Sequence, residues 1–186
     1  MPILSEQPKN MASFKPISIG GESSDIIADN TQTMNFLMSA KAEELQQQLE
    51  DIDIVKAYSA DTESWNRRSA FSLITNEYRV HHLTAGSLRG DDKLGVSPAL
   101  FQSIDETQVL SVLHVGKALC GHPNITHGGL LATLLDEITA LTAIPNLPGK
   151  TGFTANLNIN YRHPCIADQF IVAHSEITSV EGRKAF

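Results

Sequence analysis

His127, Gly128 and Gly129 stand where an apolar helical pattern begins, and Asp136 follows nine positions after the histidine. Free backbone N–H groups and the positive end of a helix dipole suit a developing negative oxygen at such a start. A carboxylate on the same element can serve as general base or nucleophile. Together these groups point to acyl transfer to water. Spacing restricts how they can cooperate. At about 1.5 Å per residue, Gly128 and Asp136 lie roughly 12 Å apart on one straight helix. One carbonyl cannot reach both. Either the groups do not cooperate, or the second comes from another copy of the chain. A two-fold dimer with antiparallel helices would set Gly128 of one subunit beside Asp136 of the other, and the small face formed by Ala132, Thr133, Asp136 and Ala140 would permit that approach.

The elements that must position these residues follow from periodicity. Leu130, Leu131, Leu134, Leu135, Ile138 and Leu141 form a broad apolar helical face, and Pro145 should end the helix near Ala143. After the Pro148-Gly149 turn, Phe153, Ala155, Leu157, Ile159 and Tyr161 alternate strictly with Thr154, Asn156, Asn158, Asn160 and Arg162. That pattern predicts a strand with one buried and one polar face. Residues 169–177 are expected as its antiparallel neighbour, with Glu181-Gly182 turning into a further strand. Residues 109–118 should form a strand ended by Gly121-His122-Pro123-Asn124, and 72–83 reads as a possible strand. Towards the N-terminus, Met38, Ala42, Leu45, Leu49 and Ile52 mark an amphipathic helix over 35–52 that docks on the domain.

This order gives an α+β architecture in three parts. Residues 1–33 are a polar, aperiodic tail, and 34–106 an extension with the amphipathic helix and a loop or hairpin. Residues 107–186 form an antiparallel β-sheet wrapped on a long central α-helix. At 186 residues and a net charge of −7, the chain suits one domain and does not suit a nucleic-acid binder. Two cysteines make no disulfide framework. No apolar run approaches a membrane span. The first arginine is Arg67, against an arginine-rich transit peptide, so cytoplasm is the expected compartment.

The run Gly121-His122-Pro123-Asn124-Ile125-Thr126-His127-Gly128-Gly129-Leu130-Leu131-Ala132-Thr133-Leu134-Leu135-Asp136-Glu137 resembles the hotdog-fold acyl-CoA thioesterases of the PaaI type. So does the later stretch Thr154-Ala155-Asn156-Leu157-Asn158-Ile159-Asn160-Tyr161-Arg162-His163-Pro164. The nearest likeness is to the eukaryotic acyl-coenzyme A thioesterases and their fungal relatives, from about residue 109 onward. The resemblance implies hydrolysis of acyl-CoA without a cofactor, at sites on the interface of a homodimer or homotetramer. It implies Asp136 as base or nucleophile and the Gly128 N–H as oxyanion donor. Gly129 would allow close substrate approach, His127 would position the thioester or loop, and Thr154 would orient water beside the carboxylate. Some relatives carry Asn or Gln six residues before the histidine. Gly121 stands there in this chain, leaving His122 and Asn124 as substrate-binding candidates. Such a domain needs strands beyond 170–177, so the C-terminal strands are expected to be missing. The resemblance also makes a mitochondrial location the alternative to cytoplasm.

Competing chemistry is weak. Cys120 and His122 with His163 and Cys165 have one-residue spacings that are unusual for zinc, so no metal is expected. Cys120 has no identifiable base. A Gly-x-Ser-x-Gly elbow, a phosphate loop and a dinucleotide fingerprint are all absent from the sequence. His81 and His82 read as strand-end residues, and Arg67, Arg68, Arg89 and Lys93 as solvated surface charges, with contact to coenzyme A phosphates as the alternative. A non-catalytic hotdog module that binds acyl-CoA or a protein is the rival reading.

Overall fold

The computed structural model describes residues 39–72 and 74–186, so the tail over 1–33, and Met38 of the amphipathic seam, lie outside the described residues. Helix α1 (Ala40–Asp51) starts where the Ser39 side chain accepts the Ala42 N–H at 3.0 Å, and helix α2 (Asp53–Ala60) follows directly. An N-cap of this kind satisfies one orphan donor of the first turn. Strand β1 (Trp65–Arg68), a single helical turn α3 (Asn76–Arg79), and strands β2 (Ala99–Ser103) and β3 (Gln108–Val115) come next. A short hairpin of β4 (Cys120–His122) and β5 (Ile125–Thr126) leads into helix α4 (Gly128–Ala143). Strand β6 (Gln169–Glu176) and the hairpin β7 (Val180–Glu181) and β8 (Lys184–Ala185) complete the chain, turning at Gly182 with φ +62°.

The main sheet is antiparallel in the order β1-β2-β3-β6, and β3 is its centre. Side chains alternate across β3, so Leu110 and Val112 meet Ala42, Leu45 and Leu49 of α1 and Val55 of α2 on one face. Leu113 and Val115 meet Leu130 on the other face, and Val109 meets Ile138. Cover on both faces explains why β3 reads as a nearly continuous apolar run. The sheet thus lies on the long helix as expected, with α1 and α2 packed on its back. Two of its strands come from 65–103, so the sheet draws on the stretch read from sequence as an extension.

Three local expectations are corrected. In the stretch 72–83, the described residues form turns and α3 rather than a strand, since Asn76, Glu77 and Tyr78 are exposed and offer no buried face. Strand β6 pairs with β3, from Gln108↔Glu176 to Val115↔Gln169, and not with the alternating segment after α4. That segment, 153–161, is in no ladder among the described residues, and residues of both parities are exposed. Phe153 is 100% exposed, and Leu157 and Tyr161 are also exposed. A strand buries a face only when a neighbouring strand fixes its plane. A fourth correction concerns length: α4 with its 3₁₀ extension, Gly128–Asn146, is long and apolar enough by composition to cross a membrane. Its packing on the sheet and the charges at Asp136 and Glu137 fit a core helix.

One buried group makes stability pH-dependent. His114, on the α1 side of β3, is 3% exposed, and its Nδ1 has no hydrogen-bond partner among the described residues. Its Nε2 lies 3.7 Å from Asp168 Oδ1. Lys41, Glu44, Lys117 and Asp92 are the other charged groups around it. Burial lowers its pKa below the usual 6.5, outweighing the attraction of Asp168. The unfolded chain therefore binds this proton more tightly than the folded one. Stability is then full above about pH 6.5 and falls as pH drops from there toward the folded value. Thermal melts from pH 7.5 to 5 should show this decline, and His114→Gln should flatten it. Parallel curves for the two proteins would refute the assignment.

Candidate active site

The β4–β5 hairpin turns at Asn124, with φ +61°, and delivers the chain to α4 at His127. His127 is the N-cap: its backbone is extended, and its Nδ1 accepts the Gly129 N–H at 2.9 Å. Nδ1 is therefore the acceptor nitrogen of this ring. A Cβ on Gly129 would sit 3.0 Å from that ring, and one on Gly121 would sit 3.0 Å from its other edge. Both glycines make room for the capping imidazole. The N–H groups of Leu130 and Leu131 go to the His127 carbonyl. Of the first-turn donors, only the Gly128 N–H is left without a partner among the described residues. It is the one available to a ligand.

Two and a quarter turns later, the half-buried Asp136 carboxylate accepts the Thr154 hydroxyl, with Thr154 Oγ1 2.6 Å from Asp136 Oδ1. Its second oxygen has no hydrogen-bond partner among the described residues. Tyr161, further along the same extended segment, donates from its hydroxyl to the Gly128 carbonyl at 2.9 Å. The 153–161 segment thus runs back along α4, tied at both ends of the motif. Helix α4 is continuous over its 16 residues, so the separation of roughly 12 Å between Gly128 and Asp136 stands. One chain presents an oxyanion donor and a carboxylate–hydroxyl pair at two different places.

His122 and Asn124 lie exposed in the hairpin, and neither side chain makes a hydrogen bond within the described residues. The structure pairs Asp136 with Thr154 and His127 with Gly129, but brings neither His122 nor Asn124 to the carboxylate. Two contacts escaped sequence reading. Tyr161 showed only its strand parity. Glu137, beside Asp136, accepts the hydroxyl of the fully buried Thr84 at 2.5 Å on another side of α4. His82, read as a strand-end residue, instead caps a wide turn by accepting the Ala85 N–H. Among the described residues, no three His, Cys, Asp or Glu side chains converge as metal ligands.

Residues 123–186 match the family model described as "Thioesterase superfamily". Over this segment the chain is similar to the thioesterase superfamily. The sheet lying on the long helix α4 is the hotdog arrangement of that superfamily. A Saccharomyces cerevisiae protein named MIOREX complex component 3 is 28% identical over 165 residues, 84% of this chain and 61% of its own. A Candida albicans protein named "Uncharacterized protein, mitochondrial" is 28% identical over 109 residues, 59% of this chain and 49% of its own. Bovine acyl-coenzyme A thioesterase THEM4 is 34% identical over 96 residues, 52% of this chain and 38% of its own. The chain therefore spans between about two fifths and three fifths of the length of these relatives. With thioesterase THEM4 the likeness covers half of this chain, and a thioesterase is the class the comparisons support.

Proposed function

We propose that this protein is a thioester hydrolase that cleaves acyl-CoA to a carboxylic acid and free coenzyme A. The observation carrying this reading is the Thr154–Asp136 hydrogen bond on a helix whose free N–H is at Gly128. In a homodimer, the Gly128 N–H of one subunit would hold the thioester oxygen, and the partner subunit's Asp136 would face the carbonyl carbon. The carboxylate then removes a proton from water as the water oxygen bonds to the carbonyl carbon. Collapse of the tetrahedral species breaks the C–S bond, and the thiolate takes up the proton. Alternatively an Asp136 oxygen attacks the carbon directly, the C–S bond breaks to expel the thiolate, and water cleaves the resulting mixed anhydride, its proton passing to the thiolate. A single turnover in labelled water separates the routes, because only anhydride formation carries label into Asp136.

His127 shapes the donor by capping Gly129 and leaving Gly128 free. Thr154 holds one carboxylate oxygen and directs the other to water. Gly129 is required for the capped turn and keeps the approach to Gly128 unobstructed. His122 and Asn124, at the exposed hairpin, would meet the coenzyme portion. A homodimer, or a pair of dimers, accounts for the exposed Phe153, Leu157 and Tyr161. A location in mitochondria is favoured over the cytoplasm, for which the relatives give no support, since one of them is named mitochondrial.

Assaying a panel of acyl-CoAs with the folded protein tests the reading, together with its native mass. Absence of hydrolysis by a folded dimer would leave the non-catalytic binding module as the better account. Thr154→Val should lower kcat about tenfold with little change in KM, because a hydrogen bond to a charged group is worth about 1.5–3 kcal/mol. Steady-state kinetics on the best acyl-CoA read this directly. An unchanged kcat would detach Thr154 from the chemistry.

A further inference from the structure

Arg89, expected from sequence as a solvated surface charge, instead lines a cavity of about 450 Å³ between α4 and the inner face of the sheet. Its Nη1 donates there to the Val96 carbonyl at 2.6 Å. Ala140, one turn beyond Asp136 on the same face of α4, lines the cavity too, so it adjoins the site already described. Tyr161 is a different matter, since no part of the chemistry above falls to it. It ends the exposed 153–161 segment at the start of α4, where its hydroxyl donates to the Gly128 carbonyl at 2.9 Å. A Cβ built on Gly128 would stand 3.6 Å from both Cε1 and Cζ of the Tyr161 ring. The ring thus covers the open side of this glycine at ordinary contact distance.

Gly128 joins two peptide units. In the first, from His127 to Gly128, the carbonyl accepts the Leu130 and Leu131 N–H groups at 3.0 and 3.2 Å. The N–H of that unit is the donor without a partner among the described residues. In the second, from Gly128 to Gly129, the N–H donates to His127 Nδ1 at 2.9 Å and the carbonyl accepts the Tyr161 hydroxyl. Side chains therefore hold the second unit from both ends, the N-cap at one and a residue 33 positions later at the other. The two glycines make this hold necessary. Glycine has the widest backbone freedom of any residue, and helix ends fray. Rotation about the Gly128 backbone would turn its free N–H away from a fixed direction. A donor aids a developing oxyanion only when it is aimed in advance and needs no reorganisation. The His127 cap fixes one end of the peptide, and Tyr161 fixes the other.

We propose that Tyr161 is a positioning residue for thioester hydrolysis, its hydroxyl locking the Gly128–Gly129 peptide and so fixing the direction of the Gly128 N–H. The assignment rests on the hydrolase reading, in which that N–H holds the thioester oxygen. Tyr161 acts on the donor alone, because the Asp136 carboxylate is engaged by Thr154. The two hydroxyls of one extended segment thus serve opposite ends of the motif, Thr154 the base and Tyr161 the donor. With 57% of Tyr161 exposed in the single chain, its hydrogen bond contributes little to overall stability, and its effect falls on the aim of the donor.

Steady-state hydrolysis of acyl-CoA by the full chain carrying Tyr161→Phe tests the assignment, together with amide hydrogen exchange followed by NMR of protein isotope-labelled at glycine. Phenylalanine keeps the ring contact and removes only the hydroxyl. We expect kcat to fall about tenfold with KM and Tm unchanged, since small misalignments at a reacting centre are costly. The Gly129 amide should exchange about threefold faster than in the wild type, as its peptide is released at one end. In the Gly128→Pro background, which keeps the carbonyl but has no N–H to aim, Tyr161→Phe should cause no further loss of kcat. A merely structural role for Tyr161 would not produce that non-additivity. A folded wild type that hydrolyses no acyl-CoA would defeat the hydrolase reading and this assignment with it. An active wild type defeats this assignment alone if Tyr161→Phe leaves kcat or Gly129 exchange unchanged. A rise in KM at constant kcat, or an undiminished loss in the Gly128→Pro background, overturns it equally.

Discussion

Asp136→Asn should lower kcat for acyl-CoA hydrolysis by about 10²–10⁴-fold, the usual contribution of a positioned general base. The amide cannot take a proton from water or form an anhydride. It can still accept the Thr154 hydroxyl through its own oxygen, so the local geometry survives. The position is half-buried on the helix surface, and stability should stay within about 0.5 kcal/mol of wild type. Substrate affinity should change little, giving a loss in kcat rather than in KM. Gly128→Pro supplies the complementary lesion, because proline lacks the N–H yet is accepted at the first helical position. His127, at φ −62° and ψ 130°, already has the backbone that a residue before proline requires. Each variant alone should be nearly inactive. Co-expressed, they should recover about a quarter of wild-type activity, since half the dimers are mixed and each mixed dimer has one intact site. No recovery from a mixture of folded dimers would show that the site does not combine Gly128 and Asp136 from different subunits.

Phe101→Ala should cost about 3–5 kcal/mol, the range for truncating a buried phenylalanine. Phe101 is 0% exposed at the middle of β2, with the Tyr58 ring centroid 5.6 Å away and the Arg67 guanidinium 5.7 Å above its own ring. It is the largest fully buried side chain in the contact between α1, α2 and the sheet. Against a total stability of about 5–15 kcal/mol for a domain, that loss is severe. The neighbouring Arg67–Glu50 ion pair is the instructive contrast. Although Arg67 Nη2 and Glu50 Oε1 are 2.6 Å apart, both side chains are more than a third exposed, and Glu50→Gln should cost only about 0–1 kcal/mol. Urea melts of the two variants separate the effects. A cost below about 1 kcal/mol for Phe101→Ala would mean that the helices on the back of the sheet contribute little.

Much of the candidate site was legible because its signals are local. A histidine before two glycines at the start of an apolar period marks a helix N-terminus, and α4 begins at Gly128 and ends at Ala143. Asp136 follows by helical arithmetic, and the rise per residue separates it from Gly128 without coordinates. Strand β3 announced itself by β-branched residues, and α1 by its four-three seam. Turn chemistry was legible too, with Gly182 in the hairpin where a turn was expected. Local signals failed for 72–83, read as a possible strand, within which Asn76–Arg79 form α3.

By itself, the sequence determined the α1, β3 and α4 segments, the apolar faces of α1 and α4, and that one copy of the motif cannot serve a single carbonyl. These are properties of a chain read a few residues at a time. Only the tertiary structure decided that β6 pairs with β3, that the 153–161 segment is left exposed at both parities, and that Tyr161 returns to Gly128. Only it moved Arg89 from the solvent to a cavity wall and set Thr84 against Glu137, 53 residues away. The physical reason is common to all of these. Pairing and burial depend on which distant residues share a place, and local periodicity carries no record of that choice.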